Sequence, residues 1–353
     1  MVRKLLSFVF VFCASLGAEL PRSSVQSLAS IFYAQFDAYK LHSRSLYARS
    51  GELRSNVLQN GLWLNEEFGF LEHRELDYAL QSKDFYNNLS LGVDTSFALR
   101  RAKLYLGGAL DVIAGYSQAG SYSGSRGNYA LGVYLSYVHE MQFFFDVNAK
   151  YFYAAQNFIF QDPSLSDSVY GKDGSHFYFG VNFGQRFNTS FSPFVKNFFF
   201  LEPSIVLETG YLPAQKFILK DGVGGKMKRF YPLGVKFNLA FGREWNASYK
   251  GSVKAGLSIE YDRQINGEMS FEDGINPPLL LSKEDDFGVG LFAEVDFLLN
   301  EKLRFFFRAK TSLAQKIRIP YAMNLGIRFS FGQVLQHGLH SKKSIDWQSE
   351  NLQ

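Results

Sequence analysis

From residue 60 to residue 331 one pattern recurs: apolar side chains on every second position, with small, polar or charged ones between. In "AKLYLGGALDVIAGY" (102–116), Leu104, Leu106, Leu110, Val112, Ala114 and Tyr116 share one parity. Lys103, Tyr105, Gly107, Ala109, Asp111 and Gly115 share the other. A period of two puts successive side chains on opposite faces of a strand. "VKAGLSIEYD" likewise sets Val253, Ala255, Leu257, Ile259 and Tyr261 against Lys254, Gly256, Ser258, Glu260 and Asp262. About twelve such strands are predicted, at 60–70, 85–99, 102–116, 127–138, 141–155, 176–188, 198–211, 230–242, 251–263, 286–298, 302–314 and 321–331. Their length, roughly 10–15 residues, is long for globular strands and suits tilted membrane strands.

Such strands fit a soluble sheet with one wet side, or a membrane barrel with lipid outside and water inside. The joins discriminate. The odd-numbered ones are mostly long (71–84, 117–126, 156–175, 212–228, 264–285), and the even-numbered ones mostly short (100–101, 139–140, 189–197, 243–250, 299–301). Long loops at one end and tight turns at the other are the signature of an outer-membrane barrel. A soluble sandwich has no reason to sort its loops this way. The expected fold is therefore all-β, a twelve-stranded antiparallel transmembrane barrel with both barrel ends on the periplasmic, turn side. Phe143, Phe144 and Phe145, and Phe198, Phe199 and Phe200, lie near strand ends, where an interfacial girdle belongs.

The polar parity then faces the lumen. It is expected to carry Asp94, Asp111, Asp146, Glu208, Glu260, Asp262, Glu294 and Asp296 against Lys103, Lys150, Lys236, Lys254, Arg304, Arg308, Lys310 and Arg328. An unpaired charge facing lipid at mid-membrane would cost about 2–4 kcal/mol. Glu66 alone falls on that face in mid-strand. Arg304, Arg308 and Lys310 should lie across from Glu294 and Asp296 on the neighbouring strand, as a patch that grips the polar side of the helix described next.

Residues 22–49 break the alternation. Val25, Leu28, Phe32, Phe36 and Tyr39 recur at spacings of three and four, without Gly or Pro, which predicts one amphipathic helix. Ahead of it, Arg3 and Lys4 precede an apolar run and then small residues, the form of a secretory signal over 1–18. The expected organisation is a signal (1–18), a helix and linker in the pore (19–55), the barrel (56–331) and a polar tail (332–353).

Composition agrees. Aromatics make up 17% of the chain, with 37 Phe, and only 9 residues are Pro. The net charge of +4 is mild and the basic residues are scattered, so no nucleic-acid partner is expected. The only cysteine, Cys13, falls in the signal, which leaves the mature chain without thiol chemistry or disulfides.

Helix followed by barrel resembles the translocator domain of autotransporters, the type V secretion family. The resemblance is carried by "RSGELR" (Arg49 to Arg54), "GLW" (Gly61 to Trp63), "FFLEPSIVLETGY" (Phe199 to Tyr211) with its Glu202–Pro203 pair, "YPLGVKFNLAFGRE" (Tyr231 to Glu244) and "NLGIRFSF" (Asn324 to Phe331). It implies a helix threaded through the pore, and a closing strand whose Phe329 and Phe331 serve as the assembly signal. It also implies a monomer in outer-membrane lipid and lipopolysaccharide, inserted with periplasmic chaperones and the barrel-insertion machinery. Two departures stand out. Only about Glu19 to Arg22 separate signal and helix, so no large passenger is expected, and a tail follows Phe331. The helix also lacks the Asn-Asn pair of self-cleaving members.

No catalytic residue, metal site or cofactor is expected. There is no GxSxG elbow. The six His (His42, His73, His139, His176, His337, His340) are placed on the helix, in loops or turns, and in the tail. "GVGGK" (Gly222 to Lys226) reads as a surface turn, and the inward carboxylates as a hydrated charge lattice. The leading reading is a translocator-type barrel plugged by its own helix. The alternative is a porin-like channel for small solutes with the helix outside the lumen.

Overall fold

The computed structural model describes residues 25, 29–30, 33–43 and 53. Between 60 and 331 it describes all but 75–80, 120–121, 161–168, 190–196, 219–223, 247–249, 272–277, 281–284 and 301. The signal, the tail and the ends of the expected helix lie outside the described residues.

Twelve long strands form the barrel: β1 (Asn60–His73), β2 (Ser82–Leu99), β3 (Ala102–Ala119), β4 (Tyr122–His139), β5 (Phe143–Phe160), β6 (Val169–Gln185), β7 (Asn197–Tyr211), β8 (Tyr231–Asn246), β9 (Lys250–Ile265), β10 (Asp285–Leu298), β11 (Leu303–Leu313) and β12 (Ile317–Phe331). Each pairs antiparallel with its sequence neighbours. β12 closes on β1, from Asn60 opposite Phe331 to His73 opposite Ile317. Closure leaves no unpaired strand edge, the condition for crossing lipid with strands.

All twelve predicted segments overlap these strands, and the largest differences lie at the loop end. β4 begins at Tyr122 and β5 ends at Phe160, so most of the joins read as loops 117–126 and 156–175 is strand. The polar composition of these hairpin ends hid them, because above the membrane neither face needs to be apolar. The joins 212–228 and 264–285 hold a second sheet of short strands (Gln215–Ile218, Gly224–Met227, Glu268–Phe271, Leu279–Leu280) that was read as loop.

The outer face is largely apolar. On β2, Phe85, Leu89, Leu91, Val93 and Phe97 are all exposed. From Phe85 to Phe97 is twelve residues, about 40 Å at ~3.3 Å each, or about 30 Å of height at a tilt of ~40°. That matches the ~25 Å apolar band between girdles of an outer-membrane barrel. Stacked rings mark the turn-side girdle, Phe199 on Phe241 at 5.7 Å and Phe297 on Phe305 at 5.7 Å. Phe329 and Phe331 end β12 on this outer face.

The Phe runs divide by parity. Phe145 and Phe199 face out, while Phe144 and Phe200 are buried inside. The inward rings lie over glycines of adjacent strands. A Cβ on Gly326 would come within 1.9 Å of the Phe306 ring, and one on Gly107 within 2.2 Å of Tyr134. Glycine is required there because the neighbouring ring fills the space a side chain would take.

Pro203 explains a local break. It has no N–H to donate. The β6–β7 ladder runs to Gly184 opposite Ser204, lapses, and resumes at Phe187 opposite Leu201. In the gap the Arg186 N–H turns to the Gln142 carbonyl (2.9 Å), and its side chain enters the barrel.

Candidate functional site

Residues 33–43 form a helix inside the barrel, and every one of them is at most 3% exposed. A helix buried on all sides is usually apolar all round. This one keeps its polar stripe because the wall around it is polar. Asp37 Oδ1 lies 2.7 Å from His73 Nε2 on β1, and Asp37 Oδ2 accepts from Arg126 on β4 at 3.3 Å. Arg126 also holds Asp84 on β2 and donates to Ser117 on β3 at 2.8 Å. Lys40 pairs with Asp262 on β9 at 3.0 Å and donates to the Ile317 carbonyl on β12. Gln35 donates to Gln156 on β5 (3.1 Å), which donates back to the Ala34 carbonyl (2.8 Å). His42 lies 3.7 Å from Asp111 on β3, with its ring 4.5 Å from Phe152 on β5. Tyr39 meets Tyr178 on β6 at 5.7 Å. The helix thus has partners around most of the wall.

These contacts also give its direction. Gln35 and Asp37 meet residues near the loop ends of β5 and β1, whereas His42 meets the middle of β3. Farther on, Leu53 is buried with Trp63, Tyr105, Ala109 and Tyr134 toward the turn end. The N-terminal side of the helix therefore points to the long-loop end.

The charged residues expected in the lumen are buried or half-buried, and most are paired. Asp94 binds Arg328 (2.8 Å), and Asp111 binds Lys150. Asp146 accepts from Ser136 (2.5 Å) and Asn182 (2.9 Å), and Glu208 from Tyr178 (3.3 Å). Lys236 reaches Glu260 at 3.6 Å, and Lys254 reaches Glu294 at 3.3 Å and Glu202 at 3.7 Å. Lys103 lies half-buried on the same face of β3. Beside β6 to β11 the wall encloses a cavity of about 100 Å³ lined by Asn182, Glu202, Lys254, Glu294 and Arg308 among others.

The basic patch on β11 differs from expectation. Arg304 binds Asp296 (2.8 Å) and Arg308 approaches Glu294 (3.9 Å), but Lys310 crosses the lumen side to Glu67 on β1 (2.8 Å). Arg304 and Arg308 lie toward the turns, whereas the described helix residues 33–43 occupy the loop half. Two histidines also depart from the sequence reading. His73 ends β1, and His176 sits within β6 on the inner face, its ring 4.9 Å from Phe152. Glu66 does face outward, where its carboxylate accepts a hydrogen bond from Asn87 (2.7 Å).

Sequence reasoning passed over the anchors themselves: Asp37, Lys40, His73, Asp84 and Arg126. His73 and Arg126 lay in assumed loops. A carboxylate and a lysine three apart on the predicted helix were the available signal. Asp37, His73 and Asp84 bring ligand-type atoms within 4.8 Å of one another. The two carboxylates, Asp37 and Asp84, share the Arg126 guanidinium, and His73 binds Asp37.

A closed antiparallel barrel with an apolar outer band, a turn-side aromatic girdle and an internal helix defines an outer-membrane protein that crosses lipid with strands. The family described as the autotransporter beta-domain matches residues 62–308, and the chain belongs to that family. Its place is the bacterial outer membrane. The serine protease EatA of Escherichia coli O78:H11 is 24% identical over 303 residues, 84% of this chain and 21% of that protein. The chain thus spans about a fifth of the length of the curated relatives it matches. Among solved structures, the beta domain of the Bordetella autotransporter Brka superposes with a TM-score of 0.63 at 17% identity, covering 77% of this chain and all of that one. The translocator domain of NalP from Neisseria meningitidis gives 0.58 at 13% identity, covering 87% and 99%. At these identities the structural likeness bears on the fold alone.

Proposed function

We propose that this barrel is an autotransporter translocator unit whose pore is closed by its own helix. The observation that carries the reading is the ring of partners around residues 33–43, which leaves each of them at most 3% exposed. The direction of the helix agrees with it. The chain preceding residue 33 leads toward the loop end, which suits a barrel that presents the polypeptide ahead of the helix at the cell surface. Insertion of such a barrel would use periplasmic chaperones and the barrel-insertion machinery. A porin-like channel with the helix outside the lumen draws no support from this packing.

The test is planar-bilayer conductance of the full chain beside a version starting at Gly51. A silent full chain with a conducting shorter form supports the reading. Equal steady conductance from both overturns it.

A further inference from the structure

Where β7, β8 and β9 leave the barrel for the small outer sheet, each loses strict alternation by one residue. Pro213 and Ala214, Lys228 and Arg229, and Ile265 and Asn266 each point away from the core in succession. Asn266 takes a φ of 65° to do so. The three irregularities open a notch of about 560 Å³ on the outside of the neck, lined in part by Lys226, Lys228, Arg229, Asn266 and Glu268.

Among the described residues that line the notch, Lys226, Lys228 and Arg229 stand against Glu268. Lys228 takes Glu268 at 2.8 Å, the carboxylate among these lining residues. Lys226 lies directly opposite Lys216 in the ladder, both exposed on the same sheet face. The buried face of this sheet gives the contrast. Met227, Met269 and Phe271 join the apolar cluster that includes Tyr33, Phe36 and Tyr39 of the helix.

Height decides what kind of anion reaches the notch. Tyr211 and Tyr231, 5.7 Å apart, end the lipid-facing stretch of β7 and β8. Arg229 lies two residues beyond Tyr231, about 7 Å at ~3.3 Å per residue. Head groups occupy about the first 5–8 Å beyond the hydrocarbon. We propose that the notch binds the phosphate of an anionic lipid headgroup in the outer leaflet. Arg229 offers a planar fork for two phosphate oxygens, and Lys226 and Lys228 add point charges. The proposal rests on the membrane-spanning reading and adds to it a specific lipid contact at the outer mouth.

The test uses the full chain folded in nanodiscs, loaded with phosphorylated lipid A or with the same lipid stripped of phosphate, and reads retained lipid by native mass spectrometry. Three surface cations at roughly five-fold each give roughly a hundred-fold preference for the phosphorylated form. Lys226→Gln, Lys228→Gln and Arg229→Gln together should reduce that preference to within about two-fold on the same scale. Lys226→Arg with Lys228→Arg should keep it. Heat-modifiable gel migration checks insertion separately, so a barrel that fails to insert counts against the membrane reading and not against the notch. An inserted wild type that retains both lipids equally overturns the proposal, and so does a preference that survives the triple substitution. Displacement of the lipid preference by excess inorganic phosphate alone would reassign the notch to free phosphate.

Discussion

Replacing Asp37 by Ala should loosen the helix while leaving the barrel standing. The side chain is fully buried and makes two charge-assisted contacts, to His73 at 2.7 Å and to Arg126 at 3.3 Å. Breaking a buried ion pair costs about 3–5 kcal/mol when the partner charge is stranded. Arg126 is not stranded, because it keeps Asp84 and Ser117. The lower end, about 3 kcal/mol, therefore applies. That raises the fraction of barrels with the helix displaced by roughly a hundred-fold. Planar bilayers read this directly as open probability, and heat-modifiable migration confirms that the barrel remains folded. Asp37→Asn keeps one hydrogen bond and should fall between the two. A folded Asp37→Ala barrel as silent as the parent would refute the reasoning, because the Asp37 contacts would then not be what holds the helix.

Two further outcomes follow from the wall. Arg308→Ala should leave conductance at the parent level, since Arg308 reaches Glu294 at 3.9 Å and makes no ion pair with the described helix residues; raised open probability would contradict that placement. Gly326→Val forces a branched side chain to within 1.9 Å of where the Phe306 ring lies. It should destabilise the barrel by about 1–3 kcal/mol, seen as a lower unfolding midpoint in denaturant, and Phe306→Ala in the same chain should recover part of the loss.

The barrel was legible because lipid and lumen impose a period of two on every strand, and a charge on the wrong face is costly. That is why parity alone led to an inward expectation for Asp111, Lys150 and Arg328, all of which are buried. Parity fails where the constraint fails. Above the membrane neither face of a hairpin meets lipid, so Tyr122 to Arg126 and the strands at 215–218 and 268–271 looked like loop. Partners beyond the adjacent strand were equally out of reach. Lys310 was assigned to the adjacent strand, where cross-strand pairing is strongest, yet its carboxylate is Glu67 on β1. The helix was read correctly as amphipathic, but its polar face meets Asp262, Arg126 and Gln156 and not water. Such a face is identical in sequence to one that is solvated.

The most direct measurement is a crosslink between helix and wall in the intact membrane. Gln35 and Gln156 touch at 3.1 Å although they are 121 residues apart. With Gln35→Cys and Gln156→Cys, a short bis-maleimide should join the two in folded barrels, giving a gel shift that is absent from either single variant. The joined protein should stay silent in bilayers even with Asp37→Ala added. A folded barrel in which the two cysteines react singly and never with each other would contradict a helix held inside the pore.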